Sequence, residues 1–127
     1  MADAFVFVNT FRVKEEMLDD YRLFVQKLAR FVEDNEPDMV QFGTYFNEES
    51  REATALQVHR SVENFAVHMT VASQFIEESR RFIDFADMSV AIYGTPTEPI
   101  LEQMRGLAGA GIEVSVNGAI ASFHRFR

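Results

Sequence analysis

The chain predicts an α+β fold in the split βαβ, ferredoxin-like order β-α-β-β-α-β, with a helix and a strand added at the C-terminal end. Three observations carry this. Apolar residues recur at every second position over residues 5–13 and at three- and four-residue steps from Glu15. Two further strand-like runs flank a polar loop, and a short apolar run, 88–93, follows the next helical pattern.

Taken in order, Phe5, Phe7, Asn9, Phe11 and Val13 alternate with Val6, Val8, Thr10 and Arg12, the period of a strand. Met17, Leu18, Tyr21, Phe24, Val25, Leu28, Phe31 and Val32 then form one wide apolar stripe, a helix of about five turns. Glu36-Pro37-Asp38 ends it, because proline disfavours helical geometry in the residue before it. Residues 39–46 and 52–60 read as a hairpin closed by Asn47-Glu48-Glu49-Ser50-Arg51. Ser61 is placed to cap a second helix whose buried side is Val62, Phe65, Met69, Ala72 and Ile76, running in two parts to about Phe85 with a bend near Ala72-Ser73. Residues 88–93 give a fourth strand, stopped by Gly94 and Pro96, and 97–107 a third helix that ends in the glycine-rich run 106–111. Residues 112–126 close the chain as a hairpin about Asn117-Gly118 or as one bulged strand, the bulged strand being the preferred reading.

The 127 residues suit a single domain, with a core over 5–94 and an extension over 95–127. Thirteen Phe and three Tyr without Trp imply ring-rich packing, which fits a flat organic ligand and an ordinary aromatic core equally well. A net charge of -8 with no Lys/Arg cluster argues against nucleic acid. No basic leader or long apolar run is present, so the expectation is a cytoplasmic protein without a membrane partner. Absence of Cys excludes disulfides and thiolate ligands, and the three scattered His do not form a metal set. No glycine-rich phosphate loop opens a helix, so neither flavin nor nicotinamide is expected, and no other cofactor is called for. Val6, Val8, Leu56 and Val58 make the second sheet face apolar with no helix left to cover it. A second copy of the chain is the simplest cover, hence a homodimer.

Over residues 5–94 the sequence resembles the antibiotic-biosynthesis-monooxygenase family and its dimeric α+β barrel relatives. The resemblance rests on Phe7-Val8-Asn9-Thr10-Phe11-Arg12-Val13-Lys14, on Glu36-Pro37-Asp38 leading to Val40-Gln41-Phe42, and on Phe65-Ala66-Val67-His68. Asp38 stands where the family usually has Gly. Gln57 and His59 stand where it often has Glu and an aromatic ring, nine positions before the helix His. The resemblance implies a dimeric α+β barrel and, in some members, oxidation of polycyclic aromatic or quinol substrates without flavin or metal. Haem-degrading relatives are a poorer match: there is no Trp, and Phe75-Ile76-Glu77-Glu78-Ser79 replaces their iron-binding His.

Oxygenation without a cofactor needs a base, a donor for the developing oxyanion and apolar walls. His68, on the apolar side of the second helix, is the first candidate base; its alternative is a core His bonded to a backbone carbonyl. Asn9 interrupts the apolar face of the first strand and is the candidate oxyanion donor, or else satisfies a local backbone group. His59 is a second acid/base candidate, although it shares a face with Ala53, Ala55 and Gln57 that is open to assignment as pocket or partner side. Phe11, Phe42, Phe65, Phe75 and Phe82 are the rings expected to wall a small aromatic or quinone-like ligand. His124 is expected to face solvent. A non-catalytic ligand-binding or interaction protein, and an oxygen-independent isomerase or cyclase, remain alternatives.

Overall fold

A computed structural model describes residues 3–125. Five strands and four helices alternate as β1 (Phe5–Val13), α1 (Leu18–Asn35), β2 (Met39–Asn47), β3 (Glu52–His59), α2 (Val62–Val71), α3 (Ser73–Ser79), β4 (Ile83–Tyr93), α4 (Glu98–Gly109) and β5 (Glu113–Asn117). The sheet runs β2-β3-β1-β4-β5. This is the expected ferredoxin-like order with its helix and strand extension.

Local chemistry sets the boundaries. Lys14 N–H donates to the Phe82 carbonyl at 2.8 Å, tying the exit of β1 to the turn before β4. At the far end of α1, Glu36 N–H reaches the Val32 carbonyl at 2.8 Å and Met39 N–H the Glu36 carbonyl at 3.0 Å, so the proline turn converts helix directly into strand. The hairpin loop is organised by Asn47, whose Oδ1 accepts from Glu49 N–H at 2.9 Å and Ser50 N–H at 3.0 Å. Arg51 closes the loop in the left-handed region at φ 64°. Ser61 Oγ accepts from Asn64 N–H at 3.2 Å and caps α2 as expected.

Register fixes which side chains share a face. Phe5 pairs with His59, Phe7 with Gln57, Asn9 with Ala55 and Phe11 with Ala53, while Phe7 and Asn9 meet Ile92 and Val90 on the other side. All of these face the helices. They build two apolar clusters on one side of the sheet. The first joins Phe11, Val13, Tyr21, Phe24, Ala53, Phe82, Ile83 and Met88; the second joins Phe5, Phe65, Val90, Ile92, Ile100 and Met104. The opposite face carries Val6, Val8, Leu56 and Val58, half-buried, with Tyr45 and Tyr93 exposed, and no described element lies over it.

Three expectations need correction. The strand expected over 88–93 begins at Ile83, so the second helical segment ends before Phe85. Pairing explains the difference: Val13 and Arg12 take Ile83 and Asp84 as partners across a register shift after Thr10. The helix expected to stop at 107 continues to Gly109, since two isolated glycines cost less than the turns they interrupt. Finally, neither a hairpin nor a long bulged strand occupies the described residues 112–125. β5 is five residues long and parallel to β4, with α4 as the crossover that parallel pairing requires. Asn117 ends it by turning its Nδ2 to the Ile92 carbonyl at 3.1 Å, and 118–125 form no regular element. Phe126 lies outside the described residues.

The capping role of Ser61 gives a stability test. Ser61→Ala should lower unfolding free energy by about 1 kcal/mol, read as a reduced urea midpoint with an unchanged denaturant slope.

Candidate active site

The two apolar clusters do not meet completely. Between them, under α2 and α3, lies a partly open cavity of about 140 Å³. Its floor includes Phe7, Asn9, Phe11, Ala55 and Gln57, and its roof Met69, Ala72, Phe75 and Ile76. Small side chains explain the hollow. Ala55 and Ala72 stand where larger groups would fill it, and the helix is interrupted at Ala72.

His68 closes one end of this space. It is 2% exposed, and its Nδ1 lies 2.8 and 3.0 Å from the two carboxylate oxygens of Glu36, itself largely buried in the proline turn. With Nδ1–H donating to the carboxylate, the ring is held in one orientation and Nε2 is the nitrogen left free to take a proton. The partner of Nδ1 is thus a carboxylate, where the alternative reading of His68 had a backbone carbonyl. Glu36 was read from the sequence only as a turn residue; its partner is 32 positions away and nothing local announces the pairing.

His59 does not point towards the open sheet face. Leu56 and Val58 take that side, and His59 turns inward with Gln57, 1% exposed, its ring edge-on to Phe65 at 5.3 Å and 5.6 Å from the His68 ring. Its Nε2–H donates to Gln57 Oε1 at 3.0 Å. Burial first, and the neighbouring His68 second, push its pKa down to about 4. At neutral pH it is an uncharged donor. Burial likewise raises the Tyr21 phenol above its ordinary value, keeping it protonated.

Asn9 lines the cavity, and its Oδ1 is out of contact with solvent without a hydrogen-bond partner. The sequence reading gave this amide a donor's role; the geometry leaves its acceptor end unmet, at the cost of a buried polar atom. Of the five rings expected to wall a ligand, Phe11, Phe42 and Phe75 line the cavity. Phe65 and Phe82 do not. Both are 0% exposed, Phe65 packed on Phe5 and Phe7 and Phe82 on Phe24 and Tyr21, so they support the walls from behind. His124 is half-buried, not exposed, and far along the chain from this cavity's lining. Among the described residues, no three His, Cys, Asp or Glu gather in a metal-holding group, and no helix is long and apolar enough to cross a membrane.

The acid sensitivity of folding follows from His59. Its ordinary pKa of 6.5 falls to about 4 on folding, so between these values the unfolded chain binds the extra proton. Stability should therefore be lost as pH falls from about 6.5 towards 4, with no further loss from this group below. His59→Phe should flatten this part of the stability profile, measured by urea titration at stepped pH.

No family model and no curated protein sequence matches this chain. Solved structures do. MupZ from Pseudomonas fluorescens superposes with a TM-score of 0.71 at 16% identity, covering 98% of this chain and 91% of its own. A "putative antibiotic biosynthesis monooxygenase" from Caulobacter crescentus CB15 gives 0.64 at 14% identity over 72% of this chain and 88% of its own. A conserved protein from Methanosarcina mazei Go1 gives 0.63 at 17% identity, covering 71% and 90%. The chain thus has the fold of the antibiotic-biosynthesis-monooxygenase group.

Proposed function

We propose that this chain is a cytoplasmic, homodimeric, cofactor-independent monooxygenase that oxidises a small hydroxylated aromatic or quinol. The observation that carries the reading is the buried Glu36–His68 pair opening on an apolar cavity. A carboxylate-oriented imidazole beside a largely apolar, ring-lined hollow is an arrangement for taking a proton from a bound hydroxyl. The resulting electron-rich ring can itself reduce dioxygen. For a quinol the balance is complete: one oxygen atom becomes a ring hydroxyl, the other leaves as water with two hydrogens, and the ring ends as a hydroxyquinone.

Size narrows the substrate. A cavity near 150 Å³ holds one benzene ring, and this one measures about 140 Å³, so a single ring fits and a fused polycycle does not without displacing side chains. The unmet Oδ1 of Asn9 favours a ligand that brings its own donor, such as a second hydroxyl. In this reading Phe11, Phe42 and Phe75 hold the ring, and the apolar face of Val6, Val8, Leu56 and Val58 is covered by the second protomer.

Oxygen uptake with a monocyclic quinol should need no added flavin or metal. His68→Ala should slow it by about 10²- to 10⁴-fold, and Glu36→Gln should also lower it, by disturbing the imidazole's orientation. Ala55→Leu should abolish turnover by filling the hollow while leaving the chain folded. Unchanged rates in all three variants would end the proposal. Ring turnover without oxygen consumption would instead assign an isomerase. Sedimentation should show a dimer that Leu56→Asp dissociates.

A further inference from the structure

The base accounts for the proton but not for the negative charge left behind on the ligand oxygen. Asn9 lines the cavity too, but among the described residues no hydrogen bond fixes which end of its amide faces the ligand. A second amide lines the same cavity. Gln57 is 7% exposed, faces the helices from β3, and pairs across the sheet with Phe7 on one side and Phe42 on the other.

We propose that the Gln57 side-chain amide donates to the oxygen anion formed in this cavity, and that His59 is the positioning residue that turns it there. The proposal rests on reading His68 as the base. Its geometric core is the His59–Gln57 hydrogen bond. Because His59 Nε2–H occupies Gln57 Oε1 at 3.0 Å, the two ends of the amide are no longer interchangeable. The NH₂ end is the one left over, and among the described residues no acceptor meets it.

The amide and the base belong to the same end of the cavity. The His68 ring lies 5.6 Å from the ring of His59 and 5.7 Å from that of Phe42, the strand neighbour of Gln57. In the proton transfer the substrate O–H bond breaks, an N–H bond forms at His68 Nε2, and the electron pair stays on oxygen. Glu36 then faces an imidazolium, while the Gln57 N–H groups face the anion. Both are fixed before reaction, so no solvent shell has to reorganise.

The test uses 4-nitrophenol, a single ring whose ionised form is coloured, bound to the full-length protein. The ionisable side chains at or behind the cavity are Tyr21 from α1, Glu36 from the turn after it, His59 from β3 and His68 from α2. All are retained in Gln57→Met. That variant should raise the apparent pKa of the bound phenol by about one unit or more, equivalent to at least a tenfold loss of bound phenolate at a given pH.

Gln57→Met leaves the His59 N–H unpaired, so the double variant His59→Phe, Gln57→Met, which removes both partners together, should give the same shift from a protein without that orphan. His59→Phe alone should shift the phenol in the same direction by less, because the amide remains but is free to turn. A merely structural His59 would change stability and leave the bound phenol's ionisation untouched, which would overturn the positioning role. Unchanged ionisation in both Gln57 variants would overturn the donor role. Failure of 4-nitrophenol to bind the unmodified protein, or binding unaffected by Ala55→Leu, would count against the cavity itself and so against the proposed function.

Discussion

The buried contact between Glu36 and His68 is the constraint around which the molecule is arranged. It joins the turn that ends α1 to the last turn of α2, two segments brought together across the sheet beneath them. Burying a carboxylate and an imidazole away from water is costly, and the cost is offset only when the geometry is close and both groups are engaged. Both carboxylate oxygens lie within 3.0 Å of the same ring nitrogen, so the pair meets that condition. Removing either partner strands the other in a low-dielectric interior. The site and the fold are therefore stabilised by one contact, and a change at Glu36 acts on chemistry and architecture together.

Small residues do as much as polar ones. Aromatic side chains supply the bulk of both apolar clusters, and in most sheets so many rings would pack solid. Here Ala55 from the sheet and Ala72 from the helical layer both line the gap between the clusters, and the helix breaks at the second of them. The ring-rich composition is thus reconciled with an interior space. Phe65 and Phe82 fill core on either side, while Phe11, Phe42 and Phe75 border what is left.

Much of this was legible from residue order, and the parts that were not share a cause. β1, the proline turn, the Asn47 loop, the Ser61 cap and the break at Ala72 each follow from signals within a few residues of one another. The first half of β4 mixes Ile83 and Phe85 with Asp84 and Asp87, and it becomes strand only because the end of β1 needs a neighbour. The parallel course of β5 depends likewise on β4, more than twenty residues earlier. Among the site residues, periodicity puts His68 on the apolar side of α2 and Asn9 on the inner side of β1, and the family resemblance singles them out; both line the cavity, as do three of the five expected rings. The inward turn of His59 required the β1–β3 register, and the part played by Glu36 required knowing what lies across the fold from it. The chain's departures at 57 and 59 from the pattern of the family it resembles become intelligible together, since the two side chains bond to each other.

The segment α3 has a consequence of its own. It spans seven residues, buries none of its side chains completely, and still supplies Phe75, Ile76 and Ser79 to the cavity roof. Free energy of local opening rises with the apolar contact a segment makes, so this short roof lifts at less cost than the strands below it. Its amide hydrogens should exchange with solvent sooner than those of β1 or β3, and a ring bound as proposed would have its cheapest gateway there.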